Sequence, residues 1–73
     1  MYKNLIEALR RELIAAKIQH IQMLIGIRDG RLVVRFVSVD SDDLRARLKA
    51  ITDRYCEHLE LIKETKTTRV FAI

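Results

Sequence analysis

The sequence predicts an α+β fold in which two helices pack on one face of a three- or four-stranded antiparallel sheet. Three observations carry that prediction. Apolar residues recur at spacings of three and four in residues 2–17 and again from Leu44 onward, the period of a helix with one buried face. Between them the period falls to two on either side of Asp29-Gly30, a dipeptide suited to a turn that needs positive φ at both central positions. The chain closes on KTTRVFAI, whose β-branched and aromatic residues favour a strand.

The first helix, YKNLIEALRRELIAAK, places Leu5, Ile6, Leu9, Leu13 and Ile14 on one face and Lys3, Asn4, Glu7, Arg10 and Arg11 opposite. Glu7 and Arg11 stand four apart in the favourable order, and Lys3 with Glu7 in the reverse order. In the hairpin, pairing Arg28 with Arg31 across the two-residue loop sets Ile27 against Leu32, Ile25 against Val34, Met23 against Phe36 and Ile21 against Ser38. Nearly all of these are apolar, so they form the expected core face. The second helix starts at Asp40 or Ser41, either of which can cap it, with Asp42 and Asp43 at the positive end of its dipole. Leu44, Leu48, Ile51, Tyr55 and Leu59 mark its inner face. Residues 56–64 fit either a continued helix or a strand, so the order reads αββα(β)β. With the extra strand, the order resembles a re-ordered ferredoxin-like sandwich whose usual first strand is supplied by KTTRVFAI.

The 73 residues suit a single α+β domain spanning 1–73; a chain of this length buries only about 60% of its unfolded surface. Hydrophobic residues make up 49%, charged residues 33%, and there are two glycines and no proline, a folded rather than disordered composition. One cysteine cannot form an internal disulfide, so a partner copy is the expected source of added stability. The lone cysteine suits a reducing, cytoplasmic setting. Glu7 and Glu12 interrupt any leader-like apolar segment, and the longest uncharged run, Ile18 to Ile27, is about half a membrane span, so no membrane is expected. Fourteen basic against ten acidic residues give a net charge of +4, compatible with polyanions without requiring them.

Candidate functional residues lie on the other face of the hairpin. The same register puts Gln22, Leu24, Gly26 and Arg28 there from the first strand, with Arg31, Val33, Arg35, Val37 and Val39 from the second. Valines mixed with arginines suit a contact surface, with Leu24, Gly26, Arg28, Arg31, Val33, Arg35 and Val37 as the interaction face. If Phe71 and Ile73 point into the core, Val70 and Ala72 enlarge that face. The leading expectation is a non-enzymatic interaction module that self-associates through this face or a sheet edge, as a homodimer or in a larger assembly with a protein partner. The alternative is a weakly sequence-specific nucleic-acid binder using Arg28, Arg31 and Arg35 on phosphates; Arg45, Arg47, Lys49 and Arg54 on the second helix could extend the basic surface, but Asp42, Asp43 and Asp53 dilute it. The absence of aromatic residues from the outer face counts against base stacking.

No catalytic, cofactor or metal site is expected. A cluster of His20, Asp40 and Ser41 is conceivable if the hairpin extends that far. Cys56 and His58 share a side only on a strand, and with His20 they make a weak ligand set; Cys56 beside Tyr55 reads more simply as semi-buried packing. The two glycines fit no phosphate loop, and Gly26 reads as a bulge or bend in its strand.

Overall fold

The computed structural model describes residues 2–73, with the side chain of Tyr2 left outside the description. Its elements are α1 (Tyr2–Ala15), β1 (Ile21–Arg28), β2 (Arg31–Ser38), α2 (Asp42–Asp53), β3 (Glu60–Glu64) and β4 (Thr68–Ala72). The four strands form one antiparallel sheet in the order β1-β2-β4-β3. β4 therefore lies between β2 and β3, which run parallel to each other and are joined through α2, a split βαβ unit. This is the strand order that a re-ordered βαββαβ unit gives.

The register predicted from Asp29-Gly30 is the observed one, from Ile21 opposite Ser38 to Arg28 opposite Arg31. Asp29 (φ 52) and Gly30 (φ 77) both take the left-handed conformation that the tight turn demands. α2 is capped by Ser41, whose hydroxyl accepts from the Leu44 N–H at 3.3 Å, and Asp42 and Asp43 occupy its first turn. α1 ends without a glycine. Lys17 takes φ 54, its N–H donates to the Ile14 carbonyl (3.0 Å), and the Ile18 N–H donates to that of Leu13 (3.1 Å), a Schellman arrangement. Ile18 then folds back against the core.

Leu9 and Leu13 from α1 and Leu48 and Ile51 from α2 meet Val34, Phe36 and Phe71 of the central strands, with Leu59 closing the cluster. The Phe36 and Phe71 rings meet edge to face at 6.1 Å. The buried Thr52 hydroxyl donates back to the Leu48 carbonyl at 3.0 Å. Arg69 shares this side of the sheet, its guanidinium 5.3 Å from the centre of the Phe71 ring and 2.9 Å from Glu64.

Several expectations change. α2 stops at Asp53 and a run of turns leads into β3, so residues 60–64 are strand, and Leu59 and Tyr55 pack against the core from outside the helix. Cys56 sits exposed in that turn rather than semi-buried. Ile14 is 71% exposed, although its spacing placed it on the inner face of α1. Ile27, on the core side of β1, is 78% exposed, and neither residue belongs to the core cluster. Gly26 pairs regularly with Val33 and is no bulge. The irregularity falls instead in β3, between Leu61 and Lys63.

Lys17→Gly is expected to stabilise the fold by about 0.5–1 kcal/mol, because glycine removes the steric cost of the left-handed cap; urea unfolding reads this directly. Gly30→Val should cost at least about 1 kcal/mol for the opposite reason. The Asp53 carboxyl is held below its ordinary value of 3.8, chiefly by the Lys49 ammonium 2.8 Å away and with burial opposing. Its contribution to stability is thus present above the ordinary carboxylate range and is lost as pH falls through the depressed value. Lys49→Gln should raise the Asp53 pKa toward the ordinary value in a carboxyl NMR titration.

Candidate functional site

The face of the sheet away from the helices is assembled by register alone. Leu24 lies opposite Arg35, which lies opposite Val70, which lies opposite Lys63. The next row is Gly26, Val33, Ala72 and Glu60, and beyond it come Arg28 and Arg31. All seven predicted face residues, Leu24, Gly26, Arg28, Arg31, Val33, Arg35 and Val37, therefore share this side. Leu24, Gly26, Arg28, Arg31 and Arg35 are exposed, whereas Val33 and Val37 are half-buried.

Val70 and Ala72 join this face as the alternation requires, but they do not enlarge its exposed area. They are only 5% and 3% exposed and stand outside the core cluster. Their neighbours across the strands on this face are Arg35 and Lys63 beside Val70, and Val33 and Glu60 beside Ala72. Arginine and lysine stems can shield apolar surface while their heads stay in water. The result is a shallow trough of about 410 Å³, lined by Leu24, Gly26, Arg28, Val33, Arg35, Lys63 and Val70, with the Thr65 and Thr68 hydroxyls at one end. Above Gly26 the space is open: a Cβ built there meets nothing within 4 Å.

Charge pairing is uneven across the molecule. Arg45 engages Asp40 (2.6 Å) and Asp42, Arg47 engages Asp43 (3.1 Å), Lys49 engages Asp53 (2.8 Å), and Arg54 engages Glu12. The pairing with Asp40, and then with Asp42, raises the Arg45 pKa further. The second helix therefore offers no free basic extension, because each of its cations has an acid within reach along the helix, in the preceding turn or across to α1. Arg31 likewise meets Glu60 at 3.1 Å. Arg28, Arg35 and Lys63 have no acidic partner within 4 Å among the described residues, and no acid lines the trough.

The free edge of β1 is the second notable feature. Leu32 accepts from the Ile73 N–H (2.9 Å) and the Ser38 N–H donates to the Thr67 carbonyl (2.8 Å), so both turn their backbone groups toward the β4 side. Their partners Ile27 and Ile21 must turn theirs off the open edge, and by alternation so do Met23 and Ile25. This edge is eight residues long, carries neither proline nor lysine, and pairs without interruption. The opposite edge, β3, is five residues long, contains Glu60, Lys63 and Glu64, and is bulged. Native sheets blunt edges by such means, and only β3 has them.

No protein-family model, curated protein or solved structure matches the chain. The surface must be read from its own geometry.

His20, with φ 67, precedes β1 and lies beside Val37, Ser38 and Val39. Asp40 accepts from Arg45 and Ser41 caps α2, so the conceivable triad is not assembled. No group of three His, Cys, Asp or Glu side chains converges among the described residues. Among the described residues no helix is long and apolar enough to cross a membrane. A second hollow, between Asn4, Leu5, Ala8, Arg54, Tyr55, His58 and Ile73, is largely apolar, and its one arginine is engaged with Glu12.

The participation of Lys63, Thr65 and Glu60 depends on residues 60–64 being a strand, which their sequence leaves open. The availability of the β1 edge was legible in IQMLIGIR, which lacks any protecting residue, but only the sheet order shows that no strand covers it. Arg28→Gln, removing an unpartnered exposed cation, should change stability by less than about 0.5 kcal/mol, whereas Phe36→Ala should cost about 3–5 kcal/mol and abolish cooperative thermal unfolding.

Proposed function

We propose that the protein is a self-associating interaction module whose β1 edges pair antiparallel about a two-fold axis, joining two sheets into one. The unprotected eight-residue edge of β1 carries this reading. Exposed strand edges are templates for another strand, and a two-fold makes one edge complementary to itself. Placing Leu24 on the axis sets Ile21 against Ile27 of the partner copy and Met23 against Ile25 of the partner copy, so every outward-turned backbone group finds a mate. It also covers Ile25 and Ile27, which the helices leave exposed. Only one charged residue, Arg28, lies in the strand, and it sits at the tip.

Pairing through the outer face is disfavoured by the same chemistry. A two-fold there would bring the unpartnered Arg28, Arg35 and Lys63 toward their own copies, and like charges brought together at an interface cost free energy. The face is better suited to a different partner.

Sedimentation equilibrium over roughly 5 to 500 µM should show a monomer–dimer equilibrium, in keeping with a small interface. Leu24→Lys sets like charges together at the axis, and Ile27→Lys supplies the missing edge protection; each should yield a monomer with an unchanged circular dichroism spectrum. Val33→Glu, on the outer face, should leave the dimer intact. A wild-type chain that stays monomeric throughout, or a dimer lost with Val33→Glu and kept with Leu24→Lys, overturns the edge reading.

A further inference from the structure

We infer that the trough on the outer sheet face docks an extended acidic segment of a partner protein, one in which every second side chain faces the trough and these alternate between acidic and small apolar. The inference concerns a site within one chain and does not depend on whether β1 edges pair. Its basis is the distribution of charge. Eight acids are held by basic side chains on the helices, in the turns or at the sheet margin, and none lines the trough. Among the described residues seven cations have no acid within 4 Å; Lys3, Arg10, Lys17 and Lys66 are scattered, whereas Arg28, Arg35 and Lys63 all line the trough, a local excess of positive charge that an anion can complete.

The floor between the cations narrows the choice of anion. Across the strands, Leu24, Arg35, Val70 and Lys63 alternate apolar and basic in one row. Strands lie about 4.8 Å apart, so Arg35 and Lys63, two strands apart, present their charges on either side of Val70. The open space over Gly26, beside Leu24 and Val33, can receive an apolar side chain without displacing anything. A strip of carboxylates spaced by small aliphatic groups matches the two cations in charge and the exposed Leu24 with the open space over Gly26 in hydropathy, Val70 serving only to hold the cations apart. A single nucleic-acid strand matches it less well, since neither Phe36 nor Phe71 faces the trough and no aromatic lines it for a base to stack on. The Thr65 and Thr68 hydroxyls at the far end offer donors to a carboxylate or a peptide carbonyl.

The test uses fluorescence anisotropy with a short labelled peptide repeating Glu-Ser-Leu-Ser, which sets Glu and Leu on one face of an extended chain, the same peptide with Gln in place of Glu, and a labelled thymidine oligomer of equal charge. At about 50 mM salt, where surface charges are weakly screened, the acidic peptide should bind the full chain at least about ten-fold more tightly than either control. Arg35→Gln combined with Lys63→Gln should weaken that binding by about ten-fold. Gly26→Glu places an acid in open space without removing any cation; it should do the same with an unchanged thermal unfolding profile. Equal binding of the Gln peptide, binding of the thymidine oligomer as tight as that of the acidic peptide, or full affinity in a folded Arg35→Gln/Lys63→Gln variant overturns the inference. Sedimentation of the peptide-bound species at the top of the roughly 5 to 500 µM range separates it from the pairing of β1: peptide bound there to a single chain leaves the trough standing while the edge reading falls.

Discussion

Two residues in the left-handed conformation, Asp29 and Gly30, determine which side of the hairpin every later side chain occupies. A two-residue turn admits one register, and in a strand pair a slip of one residue would send Ile25, Val34 and Phe36 to water and Arg35 to the helices. β4 then inherits its alternation from β2, so that Phe71 falls beside Val34 in the core while Val70 falls beside Arg35 on the opposite face. β3 takes its place from β4 in turn. The separation of a helix-covered face from a charged one thus descends from a single turn, and the core of Leu9, Leu13, Leu48 and Ile51 packs on whichever side that turn selects.

The net charge of +4 is expressed unevenly because pairing is uneven. The cations of α2 find acids three or four residues away or on the neighbouring helix, geometries that a helix supplies readily. Individually these exposed pairs contribute little to stability, but together they neutralise α2, while Lys3 and Arg10 of α1 have no acid within 4 Å. The sheet offers fewer such opportunities: Arg31 reaches Glu60 only because the register of β3 brings the two near each other. Arg28 and Arg35, with Lys63 beside them, are left to solvent or to a ligand. An arginine-rich hairpin is therefore not enough to define a basic surface; what matters is where the acids have gone.

Much of this was legible in the residues themselves. The hairpin register, the Ser41 cap and the amphipathic stripes of Leu5, Leu9 and Leu13 follow from local rules, and so does the membership of the outer face. The end of α2 was not legible, since Glu57 to Glu64 carries a helical and a strand-like pattern at once, and the sheet decided between them by placing Leu61 beside Phe71. Lys17 in a left-handed cap went unseen because the glycine that usually marks such an end is missing. The exposure of Ile14 and Ile27 escaped for a different reason. Periodicity states which side a residue faces, but only the length of the covering helix states whether anything is there.

The bulge between Leu61 and Lys63 has a consequence for the size of any assembly this chain builds. A sheet with two receptive edges can extend without limit, each added copy offering a fresh edge to the next, and the end point is a fibril. Here the far strand is short, kinked and flanked by glutamates and a lysine, so a copy joined through the near strand presents nothing for a third to grow on. In the edge pairing proposed above, the irregularity of one five-residue strand would hold each copy to a single partner.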